Sequence, residues 1–151
     1  DRAASPLFPR HEVPLYGRSR FEADPHLCAA LTQASKVTLA NLAGTIGADA
    51  VAEFGLHRPG VHQGLVISGD RFVSSSQESR ALSHELPDAQ AVEMEGAAIA
   101  QVCHDFGLPF AAVRTVSDRA DDAAHADFTR FITAVASRYS AAIIQRTLPL
   151  L

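Results

Sequence analysis

Apolar positions recur along this chain in two rhythms, one near 3.6 residues and one as short runs bounded by polar turn formers. The first predicts a helix over 25–43, opened by Asp24 as N-cap with Pro25 in the first turn, carrying Leu27, Leu31, Ala34 and Leu42 on one stripe, with Gly44 as its stop. Residues 44–60 are mixed and predict no single element. Val61–Ser68 reads as a strand with Leu65, Val66 and Ile67 as its apolar centre. Ser74, Ser75 and Ser76 can cap a short helix that ends by Leu86, before Pro87. A strand near 89–94, a helix over 96–106 closed by Gly107, and a strand over 110–116 come next. The last element is a long amphipathic helix over 127–147, with Phe128, Phe131, Ile132, Val135, Tyr139, Ala142 and Ile143 on one face. Residues 1–17 are punctuated by proline and read as loop.

The order α, β, α, β, α, β, α implies right-handed crossovers and a parallel sheet in an α/β domain. Sheets of this kind receive ligands outside the carboxyl ends of their strands. The three exits read Ser68-Gly69-Asp70-Arg71-Phe72, Glu93-Met94-Glu95 and Arg114-Thr115-Val116-Ser117-Asp118. Each sets charged residues beside apolar ones, so together they form one candidate site.

Composition narrows the function classes. With 151 residues, 47% apolar and 20% charged, the chain suits one globular domain spanning 1–151. A net charge of −4, and Lys36 as the sole lysine, leave no basic footprint for nucleic acid. No apolar run is long enough for a membrane span, and a cytoplasmic location is expected. Cys28 and Cys103 stand apart, without CxxC spacing, and read as reduced thiols. The seven histidines lack metal-ligand spacing, so no metal is expected. No GxGxxG, P-loop or GxSxG motif is present.

The exits admit both plain and chemical readings. Glu93 and Glu95 suit a helix N-terminus, where the macrodipole favours anions. Alternatively, a carboxylate held by backbone N–H groups is a fixed acceptor for vicinal sugar hydroxyls, with Met94 as a soft floor beneath the ring. Asp118 could be a turn-former or an N-cap, or could act as a general acid oriented by Ser117. Burial, or carboxylates such as Glu93 and Glu95, would raise its pKa for that task. Phe72 could be core or a platform for an aromatic base.

Three stretches carry a specific resemblance: GLVISGDRF at 64–72, AVEMEGAAIAQVCHDFGLPFAAVRTVSD at 91–118 and FTRFITAVAS at 128–137. They resemble the 5′-methylthioadenosine/S-adenosylhomocysteine nucleosidases of the purine nucleoside and uridine phosphorylase superfamily. The resemblance implies a three-layer α/β sandwich with a mostly parallel central sheet flanked by helices. It also implies hydrolysis of an N-glycosidic bond, releasing adenine by N7 protonation and water attack at ribose C1′, with no cofactor. In this likeness Asp118 is the N7 acid with Ser117 beside it, Glu95 accepts the ribose hydroxyls, and Met94 lies under the sugar. Phe72 stacks on adenine, Val73 offers backbone hydrogen bonds to the base, and Glu93 and Arg114 support the site.

The likeness further implies a homodimer in which the loop 1–17 reaches the neighbouring subunit and Leu7 or Phe8 lines its pocket. The family's N-terminal half, with a glycine-rich loop and the water-activating glutamate, has no counterpart in these residues. The chain is therefore expected to need a further segment, a second chain or a partner subunit. A phosphorylase of the same superfamily, or a non-catalytic nucleoside-binding module, are the alternatives.

Overall fold

In a computed structural model of the chain, residues 9–117 and 128–151 are described. Asp24 caps α1 (Pro25–Ala40) by accepting a hydrogen bond from the Leu27 N–H at 2.9 Å, with proline in the first turn. The predicted 25–43 helix breaks at Asn41, and a second short helix, α2 (Leu42–Ile46), runs through Gly44. The unassigned stretch 44–60 holds α3 (Ala48–Glu53). Next come β1 (Leu65–Ser68), α4 (Ser76–Glu85), β2 (Ala89–Glu93) and α5 (Gly96–Asp105). The C-terminal helix is continuous but not uniform. It runs as α6 (Phe128–Phe131), a π-turn (Ile132–Ala136), α7 (Ser137–Thr147) and a terminal 3-10 turn (Leu148–Leu150).

The π-turn answers to the sequence. Phe131, Val135, Tyr139, Ile143 and Thr147 are all buried and all four residues apart. In a pure α-helix that spacing would carry the stripe slowly around the axis. One wider i→i+5 turn sets the rotation back and keeps the stripe on one side. It also explains two departures from the predicted face: Phe128 and Ile132 are partly exposed, while Ala136 and Thr147 join the buried side. The main core contains Leu42, Ile46, Phe131, Val135, Ala136 and Tyr139, with Phe54 edge-on to Phe131 at 5.4 Å. Small residues of α1 (Ala30, Ala34, Thr38) are buried where that helix packs on α7.

β1 and β2 form a parallel pair with Val66 opposite Ala91, Ile67 opposite Val92 and Ser68 opposite Glu93. A bulge between Leu65 and Val66 shifts the register. The expected third strand, 110–116, is not assigned as one among the described residues. A strand is defined by its ladder, and the described sheet has only these two strands. The segment nevertheless keeps a strand's rhythm: Ala111, Val113, Thr115 and Ser117 are half-buried, while Ala112, Arg114 and Val116 are exposed. Its first carbonyl, on Phe110, accepts from the Asp24 N–H at 2.7 Å, which ties it to the start of α1. The α/β architecture is thus present, with a small parallel sheet flanked by helices. No described helix is long and apolar enough to cross a membrane.

The loop that precedes α1 is fastened to its own chain from residue 10 onward. Arg10 and His11 pair with Glu85 of α4 at 2.7 and 2.8 Å, and Arg20 makes a two-pronged contact with Asp88. Tyr16 donates to Asp105 at 2.6 Å and packs with Phe21 and His104. Leu7 and Phe8, expected to reach a neighbouring subunit, lie outside the described residues.

The Tyr139 hydroxyl is buried and has no hydrogen-bond partner among the described residues, and burial pushes its pKa up. Tyr139→Phe removes that desolvated hydroxyl and keeps the ring. It is expected to stabilise the protein by about 1 kcal/mol in urea unfolding, whereas Phe131→Ala should cost about 3–5 kcal/mol. A loss of stability in Tyr139→Phe would show that the hydroxyl is satisfied.

Candidate active site

Glu93 ends β2 directly opposite Ser68, the last residue of β1. That register brings the two side chains together, and the Ser68 hydroxyl donates to the Glu93 carboxylate. The carboxylate also accepts from the Gly96 N–H at 2.8–2.9 Å and the Glu95 N–H at 3.2 Å, and pairs with Arg114. Ser68 Oγ in turn accepts from the Ala97 N–H at 2.8 Å. Three of the first N–H groups around the start of α5, which have no partner inside the helix, are therefore satisfied by Glu93 and Ser68. Glu95, at the N-cap position itself, makes no capping bond with its side chain.

These contacts divide the work of the two carboxylates. Glu93 has a side chain only 9% exposed and is surrounded by donors from β1, α5 and the 110–117 segment. Burial pushes its pKa up, but the hydrogen bonds from Ser68, Gly96 and Glu95 and the charge of Arg114 outweigh that effect. The carboxyl therefore sits below the ordinary glutamate value. Glu95 is 66% exposed and meets Arg114 at 3.4 Å. The carboxylate gripped by backbone N–H groups is thus Glu93, and the carboxylate left open to a ligand is Glu95. The sequence offers both without telling them apart.

A cavity of about 640 Å³ lies beside this network. Phe72, Val73, Glu93 and Arg114 line it, together with Ser68 and Phe21. Met94 is half-exposed, and neither it nor Glu95 belongs to the cavity lining. Ser117 ends the 110–117 segment half-buried, also outside that lining. Asp118, the expected acid, lies outside the described residues, as does Phe8. What the described residues bring together is narrower: the end of β1 and the 110–117 segment meet the end of β2 at Glu93, through Ser68 and Arg114.

Two contacts escape the sequence reading. Ser68 is legible only as part of a strand exit, since its role depends on a cross-strand register that no local pattern reveals. Phe128 falls on the predicted core stripe, yet its ring stands edge-on to Phe72 at 6.3 Å, at an interplanar angle of 75°.

Residues 1–149 match the phosphorylase superfamily. Among solved structures, the 5′-methylthioadenosine/S-adenosylhomocysteine nucleosidase of Neisseria meningitidis, in complex with methylthio-immucillin-A, is 34% identical. Its TM-score is 0.72 over 93% of this chain and 52% of that one. The Streptococcus pneumoniae MTA/SAH nucleosidase, in complex with 8-aminoadenine, is 30% identical with a TM-score of 0.69, over 91% and 50% of the two chains. Futalosine hydrolase of Helicobacter pylori is 27% identical with a TM-score of 0.69, over 93% and 51%. The chain spans about half the length of the solved chains it matches.

Because the Glu93 pKa is lowered on folding, its contribution to stability is present above the unfolded value and lost as pH falls through the folded one. Stability should therefore drop in acid, at and below the usual glutamate range. Glu93→Gln should cost about 2–3 kcal/mol near neutrality, as expected for loss of hydrogen bonds to a charged group, and should flatten the acid dependence. Urea unfolding across the acid range checks both. A Gln variant with the wild-type acid limb would show that Glu93 is not the responsible group.

Proposed function

This chain belongs to the phosphorylase superfamily, and on that premise we propose that it carries the base- and sugar-binding side of a purine nucleosidase. The reaction is hydrolysis of the N-glycosidic bond of 5′-methylthioadenosine and S-adenosylhomocysteine, with release of adenine. The observation that carries the reading is the division between Glu93 and Glu95. One carboxylate is consumed in building the site. The other, outside the cavity lining, is exposed and paired with Arg114; it is open to accept vicinal hydroxyls without the backbone N–H grip expected of that acceptor, which Glu93 has instead. The hydrolases among similar solved structures support the same reaction class.

In this mechanism adenine stacks on Phe72, and the backbone of Val73 reads its edge. Glu95 accepts hydrogen bonds from the ribose hydroxyls, and Met94 supplies an apolar surface beneath the sugar. As the C1′–N9 bond lengthens, positive charge grows on the ribose, and the nearby carboxylate of Glu95 favours it. The purine leaves with excess electron density, which Asp118 relieves by protonating N7, held in place by Ser117. Water then adds to C1′ and gives up a proton to a general base, the role that the resemblance assigns to a glutamate of the family's N-terminal half, so the proton delivered to N7 is balanced. We assign Phe8, with Leu7 as the other candidate, to a homodimer contact that closes the 5′ end of the partner's pocket, in a cytoplasmic enzyme. A phosphorylase would use the same leaving-group chemistry but require phosphate as the nucleophile.

In the full-length protein, Asp118→Asn is expected to lower turnover about 100-fold or more with nucleoside binding largely retained, because the acid acts in the transition state. Glu95→Gln should weaken binding and turnover together. Adenine release in phosphate-free buffer, paired with equilibrium binding of methylthioadenosine, measures both. Release that depends on phosphate would reassign the protein as a phosphorylase. Near-normal turnover in Asp118→Asn would remove the proposed acid.

A further inference from the structure

We propose that Ser68 is a positioning residue for the sugar-binding end of the site, fixing Glu93 and thereby aiming Arg114 and Glu95. Its hydroxyl holds two partners at once: it donates to the Glu93 carboxylate and accepts the Ala97 N–H at 2.8 Å. This one side chain of β1 thereby links the end of β2 to the first turn of α5. The proposal rests on the ribose-acceptor role given above to Glu95.

Geometry supplies the reason. Arg114 makes contact with both Glu93 and Glu95. A guanidinium offers several N–H donors in a fixed planar fork, so a shift of one carboxylate re-aims the fork toward the other. Glu95 has a side chain that is mostly exposed and makes no capping bond, and Arg114 is its one ion-pair partner among the described residues. Its aim therefore depends on where Glu93 holds Arg114. Glu93 in turn keeps its place through donors from three elements, of which Ser68 is the sole side-chain hydroxyl among the described residues. Without that hydroxyl, the carboxylate can swing within the reach of Arg114, and the Ala97 N–H loses its acceptor.

A merely structural serine and a positioning serine predict different things. The charged groups facing Glu93 are Arg114 from the 110–117 segment and Glu95 from the start of α5, with Asp70 and Arg71 beyond the exit of β1 lining the same cavity. Ser68 is neutral but donates to the charged form of Glu93, so its removal should raise the Glu93 titration midpoint.

The test uses the full-length protein as wild type and as Ser68→Ala, Ser68→Cys and Ser68→Thr, with the same serine changes also made in Glu95→Gln. Carboxyl 13C NMR follows the Glu93 titration, and phosphate-free adenine release gives kcat/KM. Ala and Cys should each move the Glu93 midpoint upward and lower kcat/KM about tenfold or more, the size of one hydrogen bond to a charged group. Cys is close to serine in size with a much weaker donor, so it carries the test if the Ala variant does not fold. Thr restores the hydroxyl and should restore both readouts. In the Glu95→Gln background the serine change should cost much less, because the group it aims is already disabled.

An unmoved Glu93 midpoint, a Thr variant as impaired as Cys, or full additivity with Glu95→Gln would overturn the positioning role. A wild-type protein that releases no adenine would overturn the nucleosidase reading itself, and the sugar-binding half of this proposal with it. The titration would still report whether Ser68 holds Glu93.

Discussion

One buried negative charge holds the site side of this molecule together. Glu93 takes hydrogen bonds from the end of β1, the start of α5 and the 110–117 segment, and it accepts all of them at full strength only while ionised. A carboxylate in a partly desolvated place is costly unless donors surround it. Here the donors are groups that each need an acceptor: N–H groups at a helix start with no partner inside the helix, a strand-end hydroxyl and a guanidinium. Each component therefore solves another's problem. Removing any one leaves a charge or a polar group unsatisfied rather than merely losing a contact.

That dependence is sharper because the apolar core lies elsewhere. Apart from Ala100 in α5, the buried side chains gather among α1, α2, α6, the π-turn and α7, whereas β1 and β2 hold only half-buried or exposed residues. Helices bury a face against one another and supply the mass of hydrophobic stabilisation. The strand exits, by contrast, hold their relative positions through directional polar links. This suits a binding site, since hydrogen bonds fix distances and angles where apolar packing fixes mainly volume.

Elements with strong local signals are legible in the sequence, and those set by distant partners are not. Asp24-Pro25 announces α1, and Ser75 announces α4, because caps are local chemistry. The apolar run at 110–116 predicts a strand, but a ladder needs a neighbour, and only the alternation of burial survives there. The π-turn is invisible, since the stripe in 127–147 fits a helix of either kind until its four-residue spacing is set against the core. Phe72, Val73, Glu93 and Arg114 are legible as candidates for a site through strand exits and family resemblance, and they line one cavity. Which of the two glutamates is gripped and which left open is not legible. Glu93 falls opposite Ser68 by a register that a bulge at Leu65 has shifted.

The π-turn also sets an angle between two parts of the molecule that serve different ends. Upstream of it, Phe128 stands edge-on to Phe72, which lines the cavity; downstream, Tyr139 and Ile143 are locked into the buried helical side. Each residue added to or removed from an α-helix rotates the remainder of that helix by about 100°. The wide turn therefore acts as a gear tooth, fixing the rotational phase between the core-facing half of the C-terminal helix and the aromatic residue it sets against Phe72. Loss of a single residue there would leave a helix with better hydrogen bonding and the same length to within one step. It would nonetheless turn Phe128 away from Phe72 or pull the stripe off the core, so local regularity and correct orientation cannot both be kept.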